Sequence, residues 1–254
     1  MLKIRSGQME AFERAAVKQF EDRTIEHLRK YFPKHCEIYG EANLRQIIQL
    51  ALERAKSFGV ISERGVRMYI DLMFLLGGGF DQDPQLPWAA EILKDESIAD
   101  ESARIDRLYE KAMSYLDRVS GVNNEHIDEA QRRLSQESLD YFPQSPVSAA
   151  SDLGDRLRAR LDEIFPEKSK YIGETGVSSL IDLAEHSAKR YGITSERGVV
   201  IFTGLMFMLG SGVDADPQFP WVAAILNDES IADETTRVER LYKEAMTYLA
   251  RWCS

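Results

Sequence analysis

The sequence is poor in cysteine and histidine, has no long apolar run and carries no excess of positive charge. Its two cysteines, Cys36 and Cys253, lie at unmatched places among 254 residues. That is too few for a disulfide framework, so two free thiols in a reducing compartment are expected. The histidines are His27, His35, His126 and His186. None has the spacing of a zinc site, and Cys36 beside His35 lacks further ligands, so exposed or partly buried histidines are expected. The longest apolar stretch, VVIFTGLMFMLG at 199–210, is too short to span a bilayer and reads as a buried core helix. No charged segment followed by an apolar run opens the chain, so no secretion signal is expected. With 42 acidic against 32 basic residues the net charge is −10. This argues against a surface that tracks nucleic-acid phosphates. It leaves room for a basic protein partner, which an acidic surface would steer in. A cytoplasmic protein without a cofactor, metal or membrane contact, monomeric or weakly oligomeric, is the expectation.

What the sequence does have is a repeat. Shifted by about 133 residues, the chain overlays itself without gaps from about residue 28 onward. Leu28 falls on Leu161, Phe32-Pro33 on Phe165-Pro166 and Gly40-Glu41 on Gly173-Glu174. Between 58–119 and 191–252 about 37 of 62 positions are identical. The period is far longer than a solenoid repeat and reads as duplication of a whole small domain. The expected division is a helical unit at 1–120, a linker with a helix at 121–147, and a second helical unit at 148–254.

Each unit reads as all-α, a bundle of about five helices. In the first, a helix at about 7–32 has Phe12, Ala16, Phe20, Leu28 and Phe32 on one face and is ended by Pro33. A second, at about 41–57, carries Leu44, Ile47, Ile48, Ala51 and Ala55 and stops at Gly59. A third follows Ser62, a candidate cap, and runs to Leu76; it is apolar almost all round and belongs at the centre of a bundle. A fourth starts near Pro87 with Trp88, Ile92 and Leu93, and a fifth follows Asp100. The second unit repeats this plan with a shorter first helix. No period-two alternation appears, so little or no sheet is expected. The linker contains a polar helix at about 125–139 with a thin apolar stripe of Ile127, Ala130 and Leu134.

Several motifs occur in both units. Asp81 and Asp83, like Asp214 and Asp216, form Asp-x-Asp-Pro with Pro84 and Pro217, followed by Pro87-Trp88 and Pro220-Trp221. A divalent cation would want several such oxygens converging. The simpler expectation is a structural joint: the aspartates cap turns, the prolines fix chain direction and the tryptophans pin the turn. GGGF at 77–80 and GSGV at 210–213 follow a helix and lack the lysine of a phosphate loop, so they read as turns needing positive φ. Ser62 and Ser195 in SERG read as caps rather than nucleophiles, because no histidine matches in both units. The acidic run DESIADE occurs at 95–101 and 228–234. Asp95, Glu96, Asp100 and Glu101, with Asp228, Glu229, Asp233 and Glu234, either complement a helix N-terminus or form a docking epitope presented twice. Arg104, Arg107, Arg118, Arg237, Arg240 and Arg251 are expected to pair with those acids. No catalytic residue is assigned.

Taken in order, I-R-x-x-Q-M-E-A-F (Ile4 to Phe12), L-R-K-Y-F-P (28–33), Gly40-Glu41, F-G-V-I-S-E-R-G, L-M-F-L-L-G, D-Q-D-P-Q-L-P-W and R-L-Y-E-K-A resemble a family of small helical bacterial proteins. These are encoded beside type VI secretion effectors and their spike proteins. The resemblance covers nearly all of the first unit and the second after about Leu161, where the I-R-x-x-Q-M-E start is missing. It implies an accessory protein, either an effector chaperone or adaptor or an immunity protein, and supplies no catalytic residues.

A non-enzymatic protein-binding module is therefore the leading expectation, with a basic secreted effector or toxin as partner. Net charge is about −2 over 1–120 and about −5 over 151–254, which favours the second unit for a basic partner. The alternatives are a metal-dependent enzyme using the repeated aspartates and a purely structural pseudo-dimer.

Overall fold

A computed structural model describes residues 6–135, 144, 145, 147 and 152–253. Among these the protein is all-helical, with no sheet. Helix α1 (Ser6–Tyr31) gives way to α2 (Pro33–Ser57), which Pro33 opens from a first-turn position where its missing N–H costs nothing. The sequence placed the start of this second helix near 41. It begins instead at Pro33 and is broken once, at Gly40, whose φ of 72° and ψ of 160° lie in a region that essentially only glycine enters. α3 (Glu63–Leu76) starts at Ser62, whose hydroxyl accepts from the Gly65 N–H at 3.0 Å. α4 (Pro87–Leu93) is short, and α5 (Glu101–Ser120) is capped by Asp100, which accepts from the Ala103 N–H at 2.8 Å. α6 (Glu125–Ser135) is the polar linker helix; the remainder of its expected span, 136–139, lies outside the described residues.

The plan then recurs. α7 (Leu153–Ile164) precedes α8 (Pro166–Arg190), broken at Gly173 with φ 75° and ψ 170°. α9 (Glu196–Leu209) is capped by Ser195, and α10 (Pro220–Leu226) and α11 (Glu234–Cys253) close the chain.

Two hydrophobic cores result. One gathers Leu28, Ile47, Tyr69, Leu72, Phe80 and Leu108 from α1 to α5, and the other Leu157, Leu180, Phe202, Leu205, Val222 and Leu241 from α7 to α11. Each fully buried aliphatic or aromatic side chain contributes about 1.5–3 kcal/mol, so the all-round apolar α3 and α9 anchor the two cores. The apolar face expected along all of α1 is buried only from Phe20 onward. Phe12 is 67% exposed and Ala16 is exposed too. The reason is length. At about 1.5 Å per residue, the 26 residues of α1 outrun the stretch of α2 after Gly40, which leaves Phe12 and Ala16 uncovered.

The cores touch reciprocally. Tyr171, from α8, packs on the first core, while Ile38, at the matching place in α2, packs on the second. Tyr115 and Tyr171 meet edge to face with ring centres 5.0 Å apart.

Candidate functional site

The Asp-x-Asp-Pro loops lie where α3 and α9 end against each other. One Asp83 oxygen accepts from the Gln85 N–H at 2.9 Å, the expected turn cap. The other reaches across the junction to accept from the Ser211 N–H at 2.8 Å. Asp216 does the mirror of this, accepting from Gln218 N–H at 2.9 Å and from Gly78 N–H at 2.7 Å. The glutamines cross as well: Gln85 Nε2 donates to the Met206 carbonyl and Gln218 Nε2 to the Met73 carbonyl, both at 3.0 Å. Met73 and Met206 lie in the last turns of α3 and α9, where each carbonyl already accepts from its own half's Gly77 or Gly210 N–H at 3.0 Å and takes the glutamine as a second donor. Each half thus caps the other half's central helix.

Close approach makes this possible. A side chain on Gly77 would start 2.7 Å from the Leu209 carbonyl oxygen, and one on Gly78 would start 2.7 Å from the Asp216 carboxylate. The positive φ expected of the glycine turn is present at Gly77 (98°) and Gly210 (105°). The crossing of the two helix ends was not foreseen. The identity of Gln85 and Gln218, in a loop, was the signal available for it.

The first aspartate of each motif is held within its own half. Asp81 is buried against the Arg54 guanidinium, whereas Asp214 accepts from Arg190 and from the Tyr191 hydroxyl, both at 3.0 Å. Burial raises the Asp216 carboxyl above its usual range, and the Gln218 and Gly78 N–H groups pull it back. These carboxylates are seated on N–H, hydroxyl and guanidinium donors within the protein, an arrangement that suits a joint. Among the described residues no cluster of three or more His, Cys, Asp or Glu has the layout of a metal site. Trp88 is buried in the turn and Trp221 half-buried.

Beside the junction opens a cleft of about 550 Å³. Tyr39, Phe74 and Tyr115 come to it from the first half, Phe207, Tyr248 and Trp252 from the second, and Ile127, Ala130 and Leu134 from α6. The thin stripe of the linker helix therefore faces this cleft. Two matched basic residues flank it. Lys168, half-buried, donates to the Phe207 carbonyl and lies 4.5 Å above the Phe207 ring. Burial lowers its ammonium to about 8, with Asp83 acting in the opposite direction. At the matching position His35 is lowered to about 4 by burial, against a hydrogen bond to the Phe74 carbonyl, and its ring meets Trp252 at 4.5 Å. Two further histidines are partnered: His27 bonds Asp71 at 2.9 Å and His186 bonds the Asp182 carbonyl at 2.7 Å. Cys36 is a free, half-buried thiol that burial pushes up; the Cys253 side chain lies outside the described residues.

The acidic runs do not line the cleft. Asp95 and Asp228 each accept from the backbone N–H two residues on, Ser97 and Ser230, which with the serine hydroxyls lowers both carboxyls. Asp100 and Asp233 cap α5 and α11. Glu101 and Glu234 accept from the N–H groups of Ser62 and Ser195 at the starts of α3 and α9. Glu96 and Glu229 are exposed. The arginine pairing holds for Arg107 with Asp95 (3.6 Å) and Arg240 with Asp228 (3.4 Å). It fails for Arg104 and Arg237. They donate to the Phe58 and Tyr191 carbonyls, because those carbonyls end α2 and α8 and need donors. Arg118 lies 5.4 Å from the Tyr171 ring centre. No helix among the described residues is long and apolar enough to cross a membrane. Comparison with protein-family models, curated proteins and solved structures finds no match.

Proposed function

We propose that the protein is a non-catalytic protein-binding module whose cleft receives an apolar helix face of a partner. The observation that carries this reading is the cleft itself: about 550 Å³, walled by aromatic side chains from both halves, with α6 along one side. Apolar grooves between helices accept amphipathic helices through anchors three and four residues apart. The net charge of −10 adds steering toward a basic partner. The resemblance to proteins encoded beside type VI secretion effectors supports a secreted effector or toxin as that partner. It supports in turn a bacterial cytoplasmic role as effector chaperone, adaptor or immunity protein.

The test is co-purification from the native cell with tagged wild type and with Val119→Arg, a partly buried residue of the cleft wall, after circular dichroism has shown the variant folded. A stoichiometric partner held by the wild type and lost from the variant is expected. Equal retention by both would remove the cleft from the reading.

A second reading, a structural pseudo-dimer made of two copies of one bundle, is favoured by the reciprocal bonds of Asp83, Gln85, Asp216 and Gln218 and by the repeat of about 133 residues. The two readings are compatible: fusing two copies is one way to build a cleft between them.

A further inference from the structure

α3 and α9 begin in the same frame. Ser62 and Ser195 accept from glycine N–H groups at 3.0 and 3.1 Å. Glu101 and Glu234 accept from the two serine N–H groups at 3.1 and 2.7 Å. Arg23 pairs with Glu63 and Arg156 with Glu196, both at 2.6 Å. Val60 and Ile193 are fully buried beneath.

The two frames differ in what crosses them. Over the start of α9 two linker residues, Ser145 and Val147, bond to the backbone of 194–196. The Glu196 N–H donates to the Ser145 carbonyl at 3.0 Å and the Val147 N–H donates to the Thr194 carbonyl at 2.9 Å. Val147 packs on the second core, and the Thr235 hydroxyl donates to Gln144 Oε1 at 3.4 Å. The matching groups of the first half are the Ile61 carbonyl and the Glu63 N–H. Among the described residues neither has a hydrogen-bond partner, and Ile61 is 74% exposed. Under the repeat of about 133 residues the crossing segment matches 12–14 in α1, where Phe12 is exposed.

We propose that the Ile61–Glu63 edge binds an extended segment of a partner protein, with a small residue, a proline and a branched aliphatic residue in series. The second half supplies the template, since Ser145-Pro146-Val147 is such a series. Main-chain bonds at alternate residues hold an added strand, and the side-chain pockets between select it. An extended segment bonding through alternate residues makes no use of the intervening N–H, so a proline fits there. Among the described residues one such segment is seated on the second edge and none on the first, which leaves the first for a partner. The surface is separate from the cleft, whose lining includes none of 61–63, so this inference stands or falls independently of what the cleft binds.

The probe is a synthetic peptide of residues 141–150, YFPQSPVSAA, titrated into the full ¹⁵N-labelled chain. Weak, saturable binding that shifts the Ile61 and Ser62 amides is expected, weakened several-fold when the peptide's valine is replaced by aspartate. Glu63→Pro deletes the N–H that would donate to the peptide while suiting the first helical position, and Ser62 already has the extended backbone (φ −71°, ψ 146°) that precedes a proline. It should weaken binding at least about tenfold, the worth of one hydrogen bond with poor replacement. Glu63→Gln, which loses only the ion pair to Arg23, should bind as wild type. No shifts, shifts confined to 194–196 or to the cleft, or undiminished binding by Glu63→Pro would overturn the proposal. So would self-association at high protein concentration that moves the same amides, since it would assign the edge to a second copy.

Discussion

Asp83 and Asp216 stand at matched positions and make the same bonds; Asp81 and Asp214 also match, yet they are held by different arginines. Arg54 holds Asp81 and Arg190 holds Asp214, and serine, Ser187 and Ser57, occupies each corresponding place in the other half. The difference lies in which contact is shared. Asp83 and Gln85 serve the opposite half, whose own pair returns the same bonds, so the two pairs face one geometry. The partner of Asp81 comes from its own half, and any donor that reaches the carboxylate suffices. The cleft makes the point a second time. Tyr39 donates to Gln218 Oε1 at 3.4 Å, but Ile172 stands at its counterpart and Gln85 Oε1 has no donor among the described residues.

The largest difference between the halves should appear at the glycines. Gly77→Ala should cost about 3 kcal/mol or more, because a disallowed backbone angle combines with a Cβ 2.7 Å from the Leu209 carbonyl. Gly210→Ala shares the angle, but its nearest neighbour is 3.5 Å away. It should cost only the backbone strain, about 1–3 kcal/mol. Urea denaturation of the two variants checks the order, and equal costs would deny that the approach is closer on one side.

Next come the crossing glutamines. Gln85→Leu and Gln218→Leu each remove one of the two donors on a buried helix-end carbonyl, which keeps its glycine N–H, and should each cost about 0.5–1.5 kcal/mol. Gln218→Leu should cost the more, because it also takes the acceptor of the Tyr39 hydroxyl, and since the sites share one junction the two costs should be non-additive in the double variant.

The matched basic pair should separate the halves by pH. His35, ordinarily 6.5, is held near 4 in the fold. On acidification the unfolded chain takes up that proton first, so its contribution to stability is lost as pH falls from about 6.5 to about 4. Lys168, ordinarily 10.5 and here about 8, does the same in a higher window: stability rises as pH climbs from about 8 to about 10.5. Asp216 runs the other way, since a raised carboxyl favours the fold at low pH. His35→Lys should remove the lower step and enlarge the upper one, read from urea midpoints across pH. The smallest effects belong to the exposed pairs: Arg107→Ala and Arg240→Ala should each change stability by less than about 1 kcal/mol.

Much of this architecture was legible in local chemistry. Ser62, Asp100, Pro87 and Gly77 mark helix ends because caps, first-turn prolines and positive-φ glycines act within a few residues of where they stand. The missed opening of α2 at Pro33 is of another kind, since the same proline serves as a stop and as a start. Phe12 misled because periodicity says which face is apolar and not whether a neighbour is long enough to cover it. The candidate site was legible only in part. Two aspartates and a proline per loop signalled a joint, but the bond from Asp83 to Ser211 spans 128 residues, and no local pattern encodes it. The cleft was invisible for the same reason: its wall draws on both halves and on the linker helix, which no local pattern brings together.

The connection through α6 carries a consequence in mass action. Two separate bundles held by the same junction would come apart on dilution, and the fraction assembled would follow their abundance. Joined in one chain, each half meets the other at an effective concentration on the order of millimolar, set by the tether and not by expression level. The junction and its cleft are therefore present at the same occupancy whether a cell makes few copies or many, and a junction that opens recloses on its own other half.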